Sequence, residues 1–193
     1  MELNTVIKKR KSIRSFKRKN VNWRRAIDAI EAAIQNPFAG NINNIKYIII
    51  EEKETIKEIS KLAEQVWISE SPLLIIICSD DSKLEDLYGE RGRIYSKQQA
   101  GAVIQTILLK LTDMKIDSCW VGAYTDEILK QKLNIPQHIQ VEAIIPIGYS
   151  DKKPGDKKPV KNSIESVLKW EDWKTDKRHT IIKEAKDPYA LRN

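Results

Sequence analysis

Four short segments carry residue types that can hold a phosphorylated, planar ligand. Arg10-Lys11-Ser12-Ile13-Arg14-Ser15-Phe16 sets cations at 10 and 14 around a hydroxyl at 12. Guanidinium groups take phosphate oxygens through forked, charge-assisted hydrogen bonds, and a serine hydroxyl adds another. Pro37-Phe38-Ala39-Gly40-Asn41-Ile42-Asn43 offers small residues and amides that can contact a flat heterocycle. Ser118-Cys119-Trp120-Val121-Gly122-Ala123-Tyr124 contains a glycine that lets the backbone approach a ligand closely. Ile147-Gly148-Tyr149 leads into a lysine-rich loop that ends at Lys161. Singly, each has a plain structural reading as a basic arm, an ordinary turn or a small-residue stretch.

Other chemistries find little support. No P-loop is present, and no Gly-x-Gly-x-x-Gly follows a strand. His138 and His179 stand alone, and with Cys78 and Cys119 they make a poor metal set. Cys119 reads as a buried structural thiol rather than a nucleophile. No protein residue is singled out as a catalytic acid, base or nucleophile, so an enzymatic role points to a bound cofactor.

Charge narrows the partners. Of a formal net charge of +7 over 193 residues, residues 1–25 hold ten basic side chains against one acid, and Asp151 to Lys161 hold five lysines against two aspartates. The rest is close to neutral, so two basic patches await an anion, whether nucleic acid, a membrane surface or a phosphorylated cofactor. The longest apolar run, Leu73 to Cys78, is too short to span a bilayer. No secretory signal is visible and two cysteines make no disulfide framework, so a cytoplasmic location is expected.

The elements that must position these segments follow from periodicity. Asn22 can cap a helix over Trp23–Asn36, with Trp23, Ala26, Ile27, Ile30, Ala33 and Ile34 on one face. Ile45–Ile50 and Leu73–Cys78 read as buried strands, and Thr55–Trp67 as an amphipathic helix between them. Ser82–Tyr95 is polar and suggests a mobile loop or lid with a short helix. A long helix is expected from Ser96 to Met114 and a short one from Thr125 to Leu133. Val141–Tyr149 is a third strand, with Pro146 signalling an irregularity or an edge position. Ser163–Trp170 reads as helical, and Trp170, Trp173, Ile181, Ile182 and Tyr189 could anchor the charged tail on a second subunit.

Taken in order, the four segments resemble the nitroreductase family of flavin-dependent oxidoreductases over roughly residues 5–173. Arg10 to Phe16 matches the family's Arg-Arg-Ser-x-Arg-x-Phe, with Lys11 in the second place. Pro37 to Ile45 matches Pro-Ser-Ala-x-Asn-x-Gln-Pro-Trp before a strand. Cys119, Trp120 and Gly122 match Gly-Leu-Gly-x-Cys-Trp-x-Gly after a long helix, and Gly148, Tyr149 and Lys161 match the closing Gly-Tyr strand and basic loop. The resemblance implies an α+β fold, a three-layer α/β/α sandwich on a mixed, mainly antiparallel sheet, with residues 1–173 as the FMN-binding domain and 174–193 as an extension. It implies that Arg10, Lys11, Ser12, Arg14 and Lys161 hold the FMN phosphate. Cys119, Trp120, Val121 and Gly122 would line the isoalloxazine, with a backbone N–H near Val121 facing the reactive flavin nitrogen. Pro37, Phe38, Ala39, Asn41, Asn43 and Gln98 complete the implied set, the 37–41 turn coming from the other subunit of a homodimer.

The implied reaction is ping-pong: NADH or NADPH reduces FMN and leaves, then a small acceptor such as a nitroaromatic or quinone takes the electrons. The sequence departs from the family at Phe38 (for Ser), at Asn43-Asn44-Ile45 (for Gln-Pro-Trp), at Gln99 (for Asp) and at Lys115-Ile116-Asp117 (for Gly-Leu-Gly). The last departure implies a turn before Ser118 built in another way. The alternative function is a flavin- or ligand-binding protein on the same fold without nitroreductase turnover. Nucleic-acid binding by the basic arm is disfavoured because only Phe16 interleaves its cations, and no membrane role is expected.

Overall fold

The computed structural model describes residues 1–150 and 163–177. The chain forms two compact units, Met1–Pro154 and Gly155–Asn193.

The first unit is organised around β2 (Leu73–Ser79), whose seven residues are all buried. β1 (Ile45–Ile50) and β4 (Gln140–Gly148) flank it antiparallel, and β3 (Asp117–Ser118) pairs antiparallel with β4, giving the order β1-β2-β4-β3. Side chains alternate across a strand. Leu73, Ile75 and Ile77 therefore enter one core with α2 (Arg24–Ala33) and α5 (Glu90–Asp113), while Leu74, Ile76 and Cys78 enter another with α3 (Lys53–Leu62) and α6 (Asp126–Lys132). Covered on both faces, β2 needs no polar side, which is why its sequence is an unbroken apolar run. Each fully buried Ile or Leu contributes on the order of 1.5–3 kcal/mol. The expected three layers and antiparallel sheet are both present.

α2 sorts its apolar residues by size. Ala26, Ala29 and Ala33 are fully buried against α5, whereas Trp23, Ile27 and Ile34 remain 42%, 37% and 44% exposed. The single inward stripe expected from periodicity is thus split: the alanines lie inside with Ile30 packed beside them, and Trp23, Ile27 and Ile34 lie out. Asn22 does cap the helix, its Oδ1 accepting the Arg24 N–H at 3.0 Å.

Ser82–Tyr95 is not a loop. It forms α4 (Ser82–Tyr88) and the opening turns of α5. The two helices cross so closely that a Cβ on Gly92 would lie 2.3 Å from the Leu84 carbonyl. The basic arm likewise begins as a helix, α1 (Leu3–Lys9), with Val6 buried. β4 is an interior strand despite Pro146. The Pro146 carbonyl accepts the Cys119 N–H at 3.3 Å, and proline has no N–H to return, so the β3 ladder stops there.

Three helices end in the same closure without glycine. After α3, α5 and α6 the chain turns through Glu64 (φ 53°), Lys115 (φ 60°) and Asn134 (φ 53°). The next N–H then reaches back to the last turn: Gln65 to Ser60 at 3.0 Å, Ile116 to Leu111 at 2.9 Å, and Ile135 to Lys130 at 2.9 Å. Lys115-Ile116-Asp117 therefore needs no differently built turn; Lys115 itself adopts the left-handed conformation that favours glycine. Among the described residues no helix is long and apolar enough to cross a membrane.

In the second unit, Ser163–Trp170 contains only a 3-10 turn, Ile164–Ser166, in place of the expected helix. Trp173 is exposed, with the Lys169 ammonium 6.0 Å from its ring centre. Ile181, Ile182 and Tyr189 lie outside the described residues.

Candidate functional site

The outer edge of β4 builds one half of the candidate site. Cys119 and Val121 donate their N–H groups to Pro146 and Ile144, the latter at 3.0 Å. Backbone direction alternates along an extended segment, so the N–H groups of Trp120 and Gly122 turn away from the sheet. The N-terminal arm covers this edge only at its start: Ser12 pairs with Ser118, and the Ile13 N–H donates to the Ser118 carbonyl at 3.0 Å. Beyond that point the edge is open. Trp120 is 42% exposed, and nothing lies within 4 Å of where a Cβ on Gly122 would sit.

The arm is locked by Phe16. Its ring is buried, 6.3 Å from the Trp67 ring, and rests on Gly148, where a Cβ would come within 2.6 Å of it. The Phe16 N–H donates to a Glu70 carboxylate oxygen at 3.1 Å, and the Lys17 N–H to the Tyr149 carbonyl at 2.8 Å. Lys19 caps the arrangement, its ammonium 4.3 Å above the Tyr149 ring. Two segments far apart in sequence are therefore one structural unit.

Alternation also sorts the arm's polar residues. Arg10, Ser12 and Arg14 share a face, and all three act on the Cys119 thiol. Burial pushes that thiol above its ordinary range, while Arg14, Ser12 and Arg10 pull against the rise. Lys11 takes the opposite face and lines a separate cleft with Lys9 and Lys115. Lys161 lies outside the described residues.

The other sequence-predicted residues gather elsewhere. Pro37, Ala39 and Gln98 line a cleft of about 270 Å³ with Tyr95, Gln99 and Ala102. Phe38 is half-buried against the core, so it props the turn. Asn41 is exposed at φ 57°, and Asn43 uses its Oδ1 to accept the Ile45 N–H at 3.0 Å.

What fixes this turn is Gln99, one of the departures from the family pattern. Its Oε1 accepts the Ala39 N–H at 2.7 Å, and its Nε2 donates to Asn44 Oδ1 at 2.7 Å and to the Ile42 carbonyl at 3.3 Å. Asn44 in turn donates to Ser96 at 2.7 Å, and the Ser96 hydroxyl donates to Asp81. The signal was in the helix pattern: Ser96 and Gln99 are polar residues on the buried stripe of Ala100, Val103, Ile104 and Ile107. Gln99→Ala is expected to cost about 2–4 kcal/mol in denaturant unfolding, because it leaves Ala39 N–H and Asn44 Oδ1 without partners. Asn44→Ala in the same background should add less than it does alone.

The two groups stand apart. Ser118 and Ile45 are separated by three strand spacings and six residue rises, roughly 25 Å across the sheet. The Arg10–Arg14 arm and the Pro37–Asn43 turn thus occupy opposite edges and opposite ends.

Known proteins match this chain in sequence and fold. The model of the Nitroreductase family matches residues 7–71 and 61–149. An FMN reductase [NAD(P)H] of Bacillus subtilis is 27% identical over 174 residues, covering 79% of this chain and 70% of its own length. The crystal structure of a nitroreductase family protein from Clostridium novyi aligns with a TM-score of 0.72 at 25% identity, covering 91% of this chain and 96% of that one. An FMN-dependent nitroreductase structure from Clostridium difficile aligns with a TM-score of 0.73 at 23% identity, covering 87% and 98% of the two chains.

Proposed function

Because the chain belongs to the nitroreductase family, we propose that it is an FMN-dependent oxidoreductase that takes electrons from NADH or NADPH and delivers them to a small acceptor, such as a nitroaromatic or a quinone. One observation carries this reading: the arm sets Arg10, Ser12 and Arg14 on a single face beside an open backbone edge at Trp120–Gly122. A phosphate monoester bears about −1.5 to −2 charges near neutral pH, which suits two guanidinium groups and a hydroxyl. The open edge beside it offers the Trp120 and Gly122 N–H groups and the unfilled space at Gly122 to a planar ring. The residues present therefore fit FMN, and the FMN reductase of Bacillus subtilis supports the same cofactor.

When bound, FMN supplies the electron-transfer chemistry. The chain's own residues would bind and orient it: Arg10 and Arg14 would neutralise the phosphate, Ser12 would hydrogen-bond it, and Cys119 to Gly122 would back the ring, with the Gly122 N–H facing a ring nitrogen because the Val121 N–H is held by Ile144. No side chain here is required to move a proton.

The reading includes a homodimer. The turn and the arm are too far apart in one protomer to touch a single FMN, so the Pro37–Asn41 turn of one copy would meet the arm of the other. The exposed Trp23, Ile27 and Ile34 of α2 are the natural apolar surface for such pairing. A complementation experiment tests this. Arg14→Glu and Ala39→Arg each break one half of the site and should bind no FMN alone. Mixed by unfolding and refolding together, they should recover about one quarter of the wild-type flavin content and NAD(P)H turnover, since half the dimers are mixed and each holds one whole site. No recovery in mixed dimers would overturn the shared site.

A further inference from the structure

Lys9, Lys11 and Lys115 converge, with Thr112 and Ser118, on a cleft of about 260 Å³ at the C-terminal end of α5. Among the described residues none of the three ammonium groups pairs with a carboxylate. Lys9 reaches the Met1 sulfur at 3.8 Å. One acid, Asp117, lines the cleft with them, its carboxylate accepting the Ser150 N–H at 2.7 Å, while Asp113 holds the Met1 amino group. Three cations against one carboxylate leave the cleft with an excess of positive charge, which favours an anion between the lysines.

One further observation separates this cleft from the flavin site. Lys11 projects from the face of the arm opposite Arg10, Ser12 and Arg14, so an anion here lies across the arm's thickness from the flavin phosphate. Lys115 is a charged side chain carried at φ 60°, where glycine is the relaxed residue and would close α5 equally well. The volume falls below the ~300–1,000 Å³ of sites for drug-sized ligands, so it suits a phosphate-type head group rather than a whole nucleotide.

We infer that this cleft is a second anion site, which takes the phosphate or pyrophosphate group of a small organic molecule. The inference stands independently of the flavin reading. Two sources share this chemistry: the nicotinamide dinucleotide donor and a separate phosphorylated effector.

The test is calorimetric titration of the purified protein with sodium pyrophosphate at low ionic strength. Saturable binding of one anion per chain is expected. Lys115→Gly and Lys9→Gln should each weaken it about tenfold, the loss of one charge-assisted contact, while flavin content holds and the Lys115→Gly melting temperature is equal or higher. Arg14→Ala should leave pyrophosphate binding intact. Pyrophosphate competing with NAD(P)H, together with a raised donor KM in Lys115→Gly, assigns the group to the donor. Weakened binding without competition assigns it to a separate effector. No saturable binding, a Kd unmoved by both lysine variants, or a loss that follows Arg14→Ala instead would overturn the second site and leave the lysines as solvated charges facing a helix C-terminus.

Discussion

Arg14→Ala lowers FMN affinity by about 10- to 100-fold, the value of a charge-assisted contact worth about 1.5–3 kcal/mol, while Lys17→Ala stays within about twofold. The contrast tests position rather than charge, since each substitution removes one cation from the same basic arm. Arg14 lies on the face shared with Ser12 and Arg10 and acts on the Cys119 thiol. Lys17 comes after the Phe16 anchor, its backbone N–H on Tyr149 and its side chain exposed. Fluorescence titration of FMN into apo-protein reads both constants. The Arg14 effect should shrink as salt rises, because screening weakens an exposed contact. Equal effects from the two variants would remove the phosphate assignment.

Gly148→Ala produces the second large effect, at a residue that faces no proposed ligand. The new methyl would lie 2.6 Å from Phe16 Cδ1 and 3.1 Å from Pro72 Cδ. Phe16 cannot retreat freely because Trp67 lies against it and its own N–H is held by Glu70. Overpacking of this kind costs about 1–3 kcal/mol, and here relief comes from lifting the arm. We therefore expect a lower melting temperature together with weaker FMN binding. Adding Phe16→Leu should restore part of both, since a smaller side chain makes room for the methyl. A variant that loses stability yet binds FMN normally would show that the arm is seated independently of Phe16.

The sequence made some of this legible for identifiable reasons. β2 is covered on both faces, so Leu73 to Cys78 is a continuous apolar run and needs no periodicity to be found. The arm motif and the Gly-Tyr strand were readable as separate signals, but their contact through Phe16 and Gly148 is a tertiary fact with no local signature. β3 has two residues and cannot display a period. Ser82–Tyr95 reads as a loop because it is polar, whereas Gly92 lets its two helices cross. The α2 pattern cannot separate its alanines from the neighbouring Trp23, Ile27 and Ile34, because residues on adjacent stripes of one helix share the same apolar periodicity. Gln99 is legible as a departure from the family, and its place as a polar residue on a buried stripe marks a network that must be satisfied, but its partners Ala39 and Asn44 are tertiary facts.

The central claim is that this chain binds FMN and reduces it with a nicotinamide donor. Its most direct test is the visible spectrum of the protein after incubation with FMN and removal of free flavin, followed by anaerobic addition of NADH and then NADPH. Retained flavin absorbance that bleaches with at least one donor and returns on adding a quinone is the expected result. Flavin bands that persist under an excess of both donors would leave a binding protein without turnover, and a protein that retains no flavin would contradict the site itself.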